Sequence, residues 1–239
     1  MRDLVLAVHG SAVAEAGATV GRLADAVRRL TGAPVAVGHL DHQEPSLPSV
    51  LADRPGALVV PLMLGDGYHR TVDIPAVARH FDCAVTPGLS GEPGVGVALY
   101  DRLRAAERAA GGPADAVLVA GAGSSRPGGN DGTRAALDHL AHLLPVPVTA
   151  AYCSANGPAA PPVAEAVAAL HARGFRRIAV AAHLLAPGRF THALAALPDV
   201  WAVSEPLADH PRVAGVVARR YGGAHATAAP GPRTAASSH

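Results

Sequence analysis

Residues Leu4–Ser11 read LVLAVHGS, and residues Val117–Ser124 read VLVAGAGS, the same pattern 113 positions further along the chain. Each is an uninterrupted aliphatic run closed by a glycine-containing turn. A strand that is apolar at every position, rather than at alternate ones, is a strand buried on both faces, which is the habit of parallel sheets covered by helices. The first run ends at His9, and the second at the matching Ala122.

Working outward from the first run, Val20, Leu23, Ala24, Val27 and Leu30 fall at helical spacing and stop at Gly32 and Pro34. Strands follow at Val35–Leu40, Ala57–Leu64 and Ala84–Thr86. They are separated by helices around Leu47–Leu51 and over 72–80, and a long helix runs from Val95 to Ala110. Strands alternating with helices imply parallel pairing, because each crossover must return over the sheet. After Gly111-Gly112-Pro113 the order restarts. Strands are predicted at Ala116–Ala120, Val148–Tyr152, Arg177–Ala182 and Val200–Val203, with helices around Leu137–Leu144 and over Val163–Ala172, Thr191–Leu197 and Arg212–Tyr221.

The repeat is legible residue by residue. Pro34-Val35 matches Pro147-Val148 at the same 113-residue offset, and Leu64-Gly65-Asp66-Gly67 matches Leu185-Ala186-Pro187-Gly188 at 121, a difference that one longer loop absorbs. The expectation is an α/β chain of two tandem flavodoxin-like domains, each a parallel four-stranded sheet flanked by helices. Their spans are 1–112 and 113–221. From Gly222 the sequence GGAHATAAPGPRTAASSH lacks apolar periodicity and is expected to be a disordered tail over 222–239.

Composition narrows the class. Apolar residues make up 49% of the chain and aromatics 3%, so the core is built from Ala, Val and Leu. Twenty basic residues, every one Arg, offset 19 acidic ones without any like-charged block, which argues against a nucleic-acid or polybasic membrane surface. Cys83 and Cys153 form neither a disulfide framework nor a CxxC site, as expected of a cytoplasmic protein. No signal peptide or membrane-spanning run is seen.

Ligands of parallel α/β sheets gather at the carboxyl ends of strands, and there the sequence places His9 and, just past the third strand, His69. Two converging imidazoles bind a borderline divalent ion such as Fe²⁺, Co²⁺ or Ni²⁺ and leave positions open for transfer. A neutral imidazole, with an ordinary pKa near 6.5, also accepts a proton. The plain alternative is that each histidine ends a strand and bonds to backbone. Ser11 as a hydrolytic nucleophile lacks the G-x-S-x-G elbow. The Gly121-Ala-Gly123 loop, with Arg126 where a dinucleotide fingerprint needs Gly, reads as a decayed copy of the first loop, so no nucleotide is expected. His139 and His142 lie off the apolar face of their helix and are expected to be solvated.

LAVHGS near the start, HLDHQEPSL (39–47), and PLMLGDGYHRTVDIP (61–75) together resemble the sirohydrochlorin chelatase family of the CbiX and SirB type, in its long duplicated form. The resemblance covers roughly residues 3–221. It implies chelatase-like domains that insert Fe²⁺ or Co²⁺ into the carboxylate-rich tetrapyrrole sirohydrochlorin, for siroheme or cobalamin synthesis, in an ATP-independent lyase reaction. His9 would be proton acceptor and metal ligand, and His69 the second ligand. Leu64, Gly65, Asp66, Gly67 and Tyr68 would line the tetrapyrrole face, with Ser11, Glu44 and Arg70 also contacting substrate. Gly65 and Gly67 would let the backbone approach the flat ring closely.

Asp41 stands where related sequences commonly carry an acidic residue and would either help attract the cation or be a solvated strand-end carboxylate. Arg70, Arg126 and Arg189 would hold carboxylates or be plain surface charges, while His183 and His192 lie near enough in the second half to add a ligand but off the matching positions. Ala122 and Phe190 replace the two histidines in the second half, so one site per monomeric chain is expected, with that half as a wall. A carrier of metal or tetrapyrrole without turnover is the alternative.

Overall fold

The computed structural model describes residues 2–154 and 161–228. The first half runs β1 (Leu4–Val8), α1 (Ala14–Thr31), β2 (Val35–His39), α2 (Leu47–Ala52), β3 (Leu58–Pro61), one wide helical turn (His69–Asp73), α3 (Ile74–Arg79), β4 (Ala84–Val85) and α4 (Pro93–Ala109). The second runs β5 (Ala116–Gly121), α5 (Asp131–Leu143), β6 (Val148–Tyr152), α6 (Val163–Ala172), β7 (Ile178–His183), α7 (Arg189–Ala195), β8 (Ala202–Val203) and α8 (Pro211–Ala228). Each half forms a four-stranded sheet, ordered β2-β1-β3-β4 and β6-β5-β7-β8, with every pairing parallel. The two tandem α/β sheets anticipated from the repeat are present.

Side-chain alternation along the central strands divides the core. Leu4, Leu6 and Val8 of β1, with Val117 and Val119 of β5, face one continuous cluster that includes Leu23 and Val27 of α1, Leu99 and Leu103 of α4, Leu140 of α5, and Val213 and Val217 of α8. Val5 and Ala7 face outward to α2 and α3, and Ala116, Leu118 and Ala120 face outward to α6 and α7. Helices of both halves therefore fill one shared middle layer between the sheets. Asp209 ties that layer across the halves, accepting from Arg22 at 2.8 and 3.0 Å and from Arg102 at 2.6 Å.

The C-terminal boundary differs from the expected one. Helix α8 continues past Gly222 to Ala228, because Ala224 still packs against the shared core, and Tyr221 just before it donates to the Arg2 carbonyl at 2.6 Å. The remainder of the expected tail, 229–239, lies outside the described residues. His139 differs too: its ring lies on Gly96 of α4, where a Cβ would come within 2.8 Å of it, so it is a packing residue rather than a solvated one. Among the described residues, no helix is long and apolar enough to cross a membrane.

Candidate metal centre

His9 is the first residue past β1, and the chain there turns sharply. Gly10 has φ +95°, and a Cβ on it would lie 1.9 Å from the Asp41 carbonyl oxygen. That conformation and that approach are open to glycine alone. The loop after β2 is thereby zipped to the loop after β1: Asp41 N–H donates to the His9 carbonyl at 2.9 Å, and Ser11 N–H donates to Gln43 Oε1 at 3.2 Å. The zipper carries Asp41 and His42 to the flank of His9. The second half keeps this device at the same offset, with Gly123 also at φ +95° and a would-be Cβ 2.1 Å from the Ser154 carbonyl oxygen, but its loop presents Ala122 instead of His9.

His69 opens the wide turn that leads into α3. Thr71 anchors the turn by donating its hydroxyl to the Gly67 carbonyl at 2.9 Å. Nδ1 of His69 lies 2.7 Å from Oδ2 of Asp73. A carboxylate only accepts, so in the neutral ring Nδ1 carries the proton and Nε2 keeps its lone pair, a carboxylate–imidazole pairing that orients metal-binding histidines.

The two rings meet. His9 and His69 have centroids 4.7 Å apart with planes tilted by 32°, and His42 stands edge-on to His9 at 5.7 Å. At a metal–nitrogen distance of about 2.1 Å, a ring centre sits roughly 3.2 Å from its ion, so two ligands at tetrahedral or cis-octahedral angles have centres roughly 4.6–5.3 Å apart. The observed spacing falls in that interval. Partial burial, then the neighbouring His69 and His42, hold the His9 pKa below its ordinary value, while Asp41 opposes them. The result is an imidazole biased toward the neutral form that ligation requires. Among the described residues no three His, Cys, Asp or Glu side chains are arranged to hold a metal, so the pair stands without a third protein ligand.

The other expected residues are distributed unevenly. Tyr68 is 55% exposed beside His69. Arg70 is ion-paired with Asp66 and packed on Gly88. Glu44 accepts from Ser46 N–H at 2.6 Å, which turns its carboxylate toward the start of α2. Ser11 Oγ reaches the Pro187 carbonyl of the second half at 3.5 Å. The close backbone approach assigned by sequence to a flat ligand at Gly65 is instead taken by the second half, since a Cβ there would lie 2.4 Å from the Gly129 carbonyl oxygen. Likewise a Cβ on Gly132 would lie 1.9 Å from the Leu64 carbonyl oxygen. The loop over 124–132 thus covers the backbone of Leu64 and Gly65, and the site is an open shelf whose wall comes from the degenerate half.

His183 is fully buried, with Nδ1 3.2 Å from Thr133 Oγ1, and His192 is exposed on α7. Phe190 packs into the outer core of the second sheet. Cavities of about 720, 530 and 310 Å³ lie beside α6, between β4 and α8, and beside α1, and none is lined by His9 or His69.

Two contributors escaped the sequence reading. Asp73 sits four residues after His69, the helical spacing that stacks both on one face. His42 gave no comparable signal, because its place beside His9 depends on a left-handed backbone, φ 63°, in the zippered loop.

The family model for CbiX matches residues 3–106 and again 116–224. SirB from Bacillus subtilis with Fe³⁺ has the same fold, with a TM-score of 0.69 at 25% identity over 92% of this chain and 94% of that one. The sirohydrochlorin chelatase SirB from Bacillus subtilis subspecies spizizenii, in complex with cobalt, gives 0.69 at 22% identity over 92% and 94%. CbiX, the terminal enzyme for biosynthesis of siroheme in denitrifying bacteria, gives 0.67 at 20% identity over 93% and 99%. No curated protein sequence matches the chain.

Proposed function

The chain belongs to the CbiX family, and from that premise we propose that it is a chelatase that inserts Fe²⁺ or Co²⁺ into sirohydrochlorin. The observation that carries the reading is the imidazole pair, 4.7 Å between ring centres, with Asp73 fixing the tautomer of one member. His9 and His69 hold the cation on one face of the shelf through neutral nitrogens. The ring settles over them, bordered by Tyr68 and by Ser11. As pyrrole nitrogens replace imidazoles on the ion, the freed lone pair of His9 accepts the two pyrrole protons in turn, and solvent removes each. Asp41 and Asp73 favour the cation before transfer by simple charge attraction. No nucleotide is needed, because the bonds broken and formed are exchanges of ligands and protons. Ni²⁺ fits the same two nitrogens.

In this reading residues 1–112 supply the metal centre and 113–221 the wall that covers Leu64 and Gly65, within a monomeric cytoplasmic enzyme. The test is absorption spectroscopy with purified protein, metal-free sirohydrochlorin and Fe²⁺ or Co²⁺. Many turnovers per chain, abolished in the His9→Ala/His69→Ala double variant, are expected. Metallation limited to one equivalent would make the protein a carrier, and undiminished turnover by the double variant would end the assignment.

A further inference from the structure

We propose that Arg126, which lies over the ring of Tyr68, binds a peripheral carboxylate of the macrocycle and thereby sets which tetrapyrroles the site accepts. The inference rests on the chelatase reading and gives the half without histidines a task in it, substrate selection.

The guanidinium carbon of Arg126 is 5.6 Å from the centre of the Tyr68 ring. Tyr68 is exposed and directly precedes His69, so this cation–π pair borders the metal shelf while belonging to both halves. The base of Arg126 is rigid. Its N–H donates to Ser124 Oγ at 3.2 Å, its carbonyl accepts from Gly129 at 3.0 Å, and Asn130 Nδ2 closes the loop onto the Ser124 carbonyl at 3.1 Å. The same loop is docked on the first half by the Gly129–Gly65 and Leu64–Gly132 approaches.

The acidic groups of the two loops that meet here have partners of their own. Asp66 is paired with Arg70, Asp131 with Arg134 at 2.8 Å, and Asp73 with His69 at 2.7 Å. Among the described residues Arg126 makes no ion pair, and its side chain is exposed. A guanidinium held over an aromatic ring without an ion-pair partner keeps its N–H donors free, and those donors match a carboxylate in bidentate fashion. A macrocycle centred over His9 and His69 carries its acidic arms outward, past Tyr68, to this position. A ring with few carboxylates has little to place there. Arg70, already held by Asp66, cannot offer the same edge.

The experiment uses the full chain and its Arg126→Gln and Arg126→Lys variants, with binding read by porphyrin fluorescence. The probes are an octacarboxylate porphyrin and a dicarboxylate porphyrin, and Co²⁺ binding by the ring-free protein is measured in parallel. For Arg126→Gln, roughly tenfold weaker octacarboxylate binding is expected, the scale of one charge-assisted bidentate contact. Dicarboxylate and Co²⁺ binding should stay as in the parent, and Arg126→Lys should fall between. Unchanged selectivity, or equal loss for both porphyrins, would overturn the proposal while leaving the chelatase reading intact if the parent still metallates sirohydrochlorin. A parent that binds neither porphyrin and metallates nothing would overturn both.

Discussion

The carbonyl oxygen of Asp41 occupies the space beside Gly10 into which a side chain would project, 1.9 Å from a Cβ built there. That contact, repeated between Ser154 and Gly123, holds two strand-end loops in register and delivers His42 and Asp41 to His9. Gly10→Ala must move Asp41 and also force an L residue into φ +95°, a conformation costing about 1–2 kcal/mol before any clash. Expected is a loss of about 2 kcal/mol or more in urea unfolding, with Co²⁺ affinity reduced in the protein that remains folded. Retained stability and retained affinity together would show that the zipper does not set the site.

Asp73 fixes the tautomer and the plane of the His69 ring at 2.7 Å. Removing such a partner lowers metal affinity roughly ten- to hundredfold in comparable sites. Asp73→Ala should do the same here, measured by calorimetric Co²⁺ titration, with the fold unchanged by circular dichroism. Affinity equal to the parent would mean that Nε2 of His69 is not a ligand.

The environment of His9 makes a signed prediction. Burial, His69 and His42 all push its pKa below the ordinary value, and Asp41 pushes it up. By ring C–H titration in metal-free protein, its midpoint should lie below about 6.5. His42→Ala should raise that midpoint, and Asp41→Asn should lower it further. A midpoint that falls on removing His42 would contradict the arrangement.

Most of the architecture was legible in advance because it is written in periodicity. Short aliphatic runs such as Leu4–Val8, closed by glycine, read as strands with both faces covered, and the 113-residue offset announced the second sheet. That His9 comes near His69 was legible because strand order brings the ends of β1 and β3 side by side. What stayed hidden depends on tertiary approach. Nothing in the letters at Gly65 says whether a ligand or the Gly129 carbonyl will come close, and α8 outlasts its own poor helix formers at Gly222-Gly223 because packing overrides propensity. His39 is similar: buried at the end of β2, it bonds through Nδ1 to the Pro45 carbonyl at 3.1 Å and supports the loop instead of facing the site.

His183 gives the fold an acid sensitivity that can be separated from the metal site. Burial pushes its pKa down to about 4, whereas the unfolded chain titrates near 6.5. Between those values the unfolded state binds more protons, so stability falls as pH falls from 6.5 toward 4. The full contribution is on the order of 3 kcal/mol, present above pH 6.5 and lost by pH 4. His183→Gln should flatten the dependence of unfolding free energy on pH within that window, relative to the parent. An unaltered slope would place the acid sensitivity elsewhere.

The shared middle layer predicts that the halves are not separable, even though the sequence divides cleanly at Gly111-Gly112-Pro113. Leu23 and Val27 of α1, and Leu99 and Leu103 of α4, are buried in the same cluster as Leu140, Val213 and Val217 of the second half. A fragment of residues 1–112 would keep its outer cluster under α2 and α3 but expose the inner one, a contiguous apolar face of the kind that drives association. Arg22 and Arg102 would also lose Asp209. The expected behaviour is self-association through that face, seen by light scattering, or, at low concentration, loss of hydrogen-exchange protection in α1 and α4 while β1 and β3 hold longer. Self-association pairs two inner faces and rebuilds a wall over Leu64 and Gly65, so Co²⁺ affinity should rise with fragment concentration. A fragment that remains monomeric, well protected throughout and as thermally stable as the full chain would show that the common core contributes little, and that each sheet folds on its own helices.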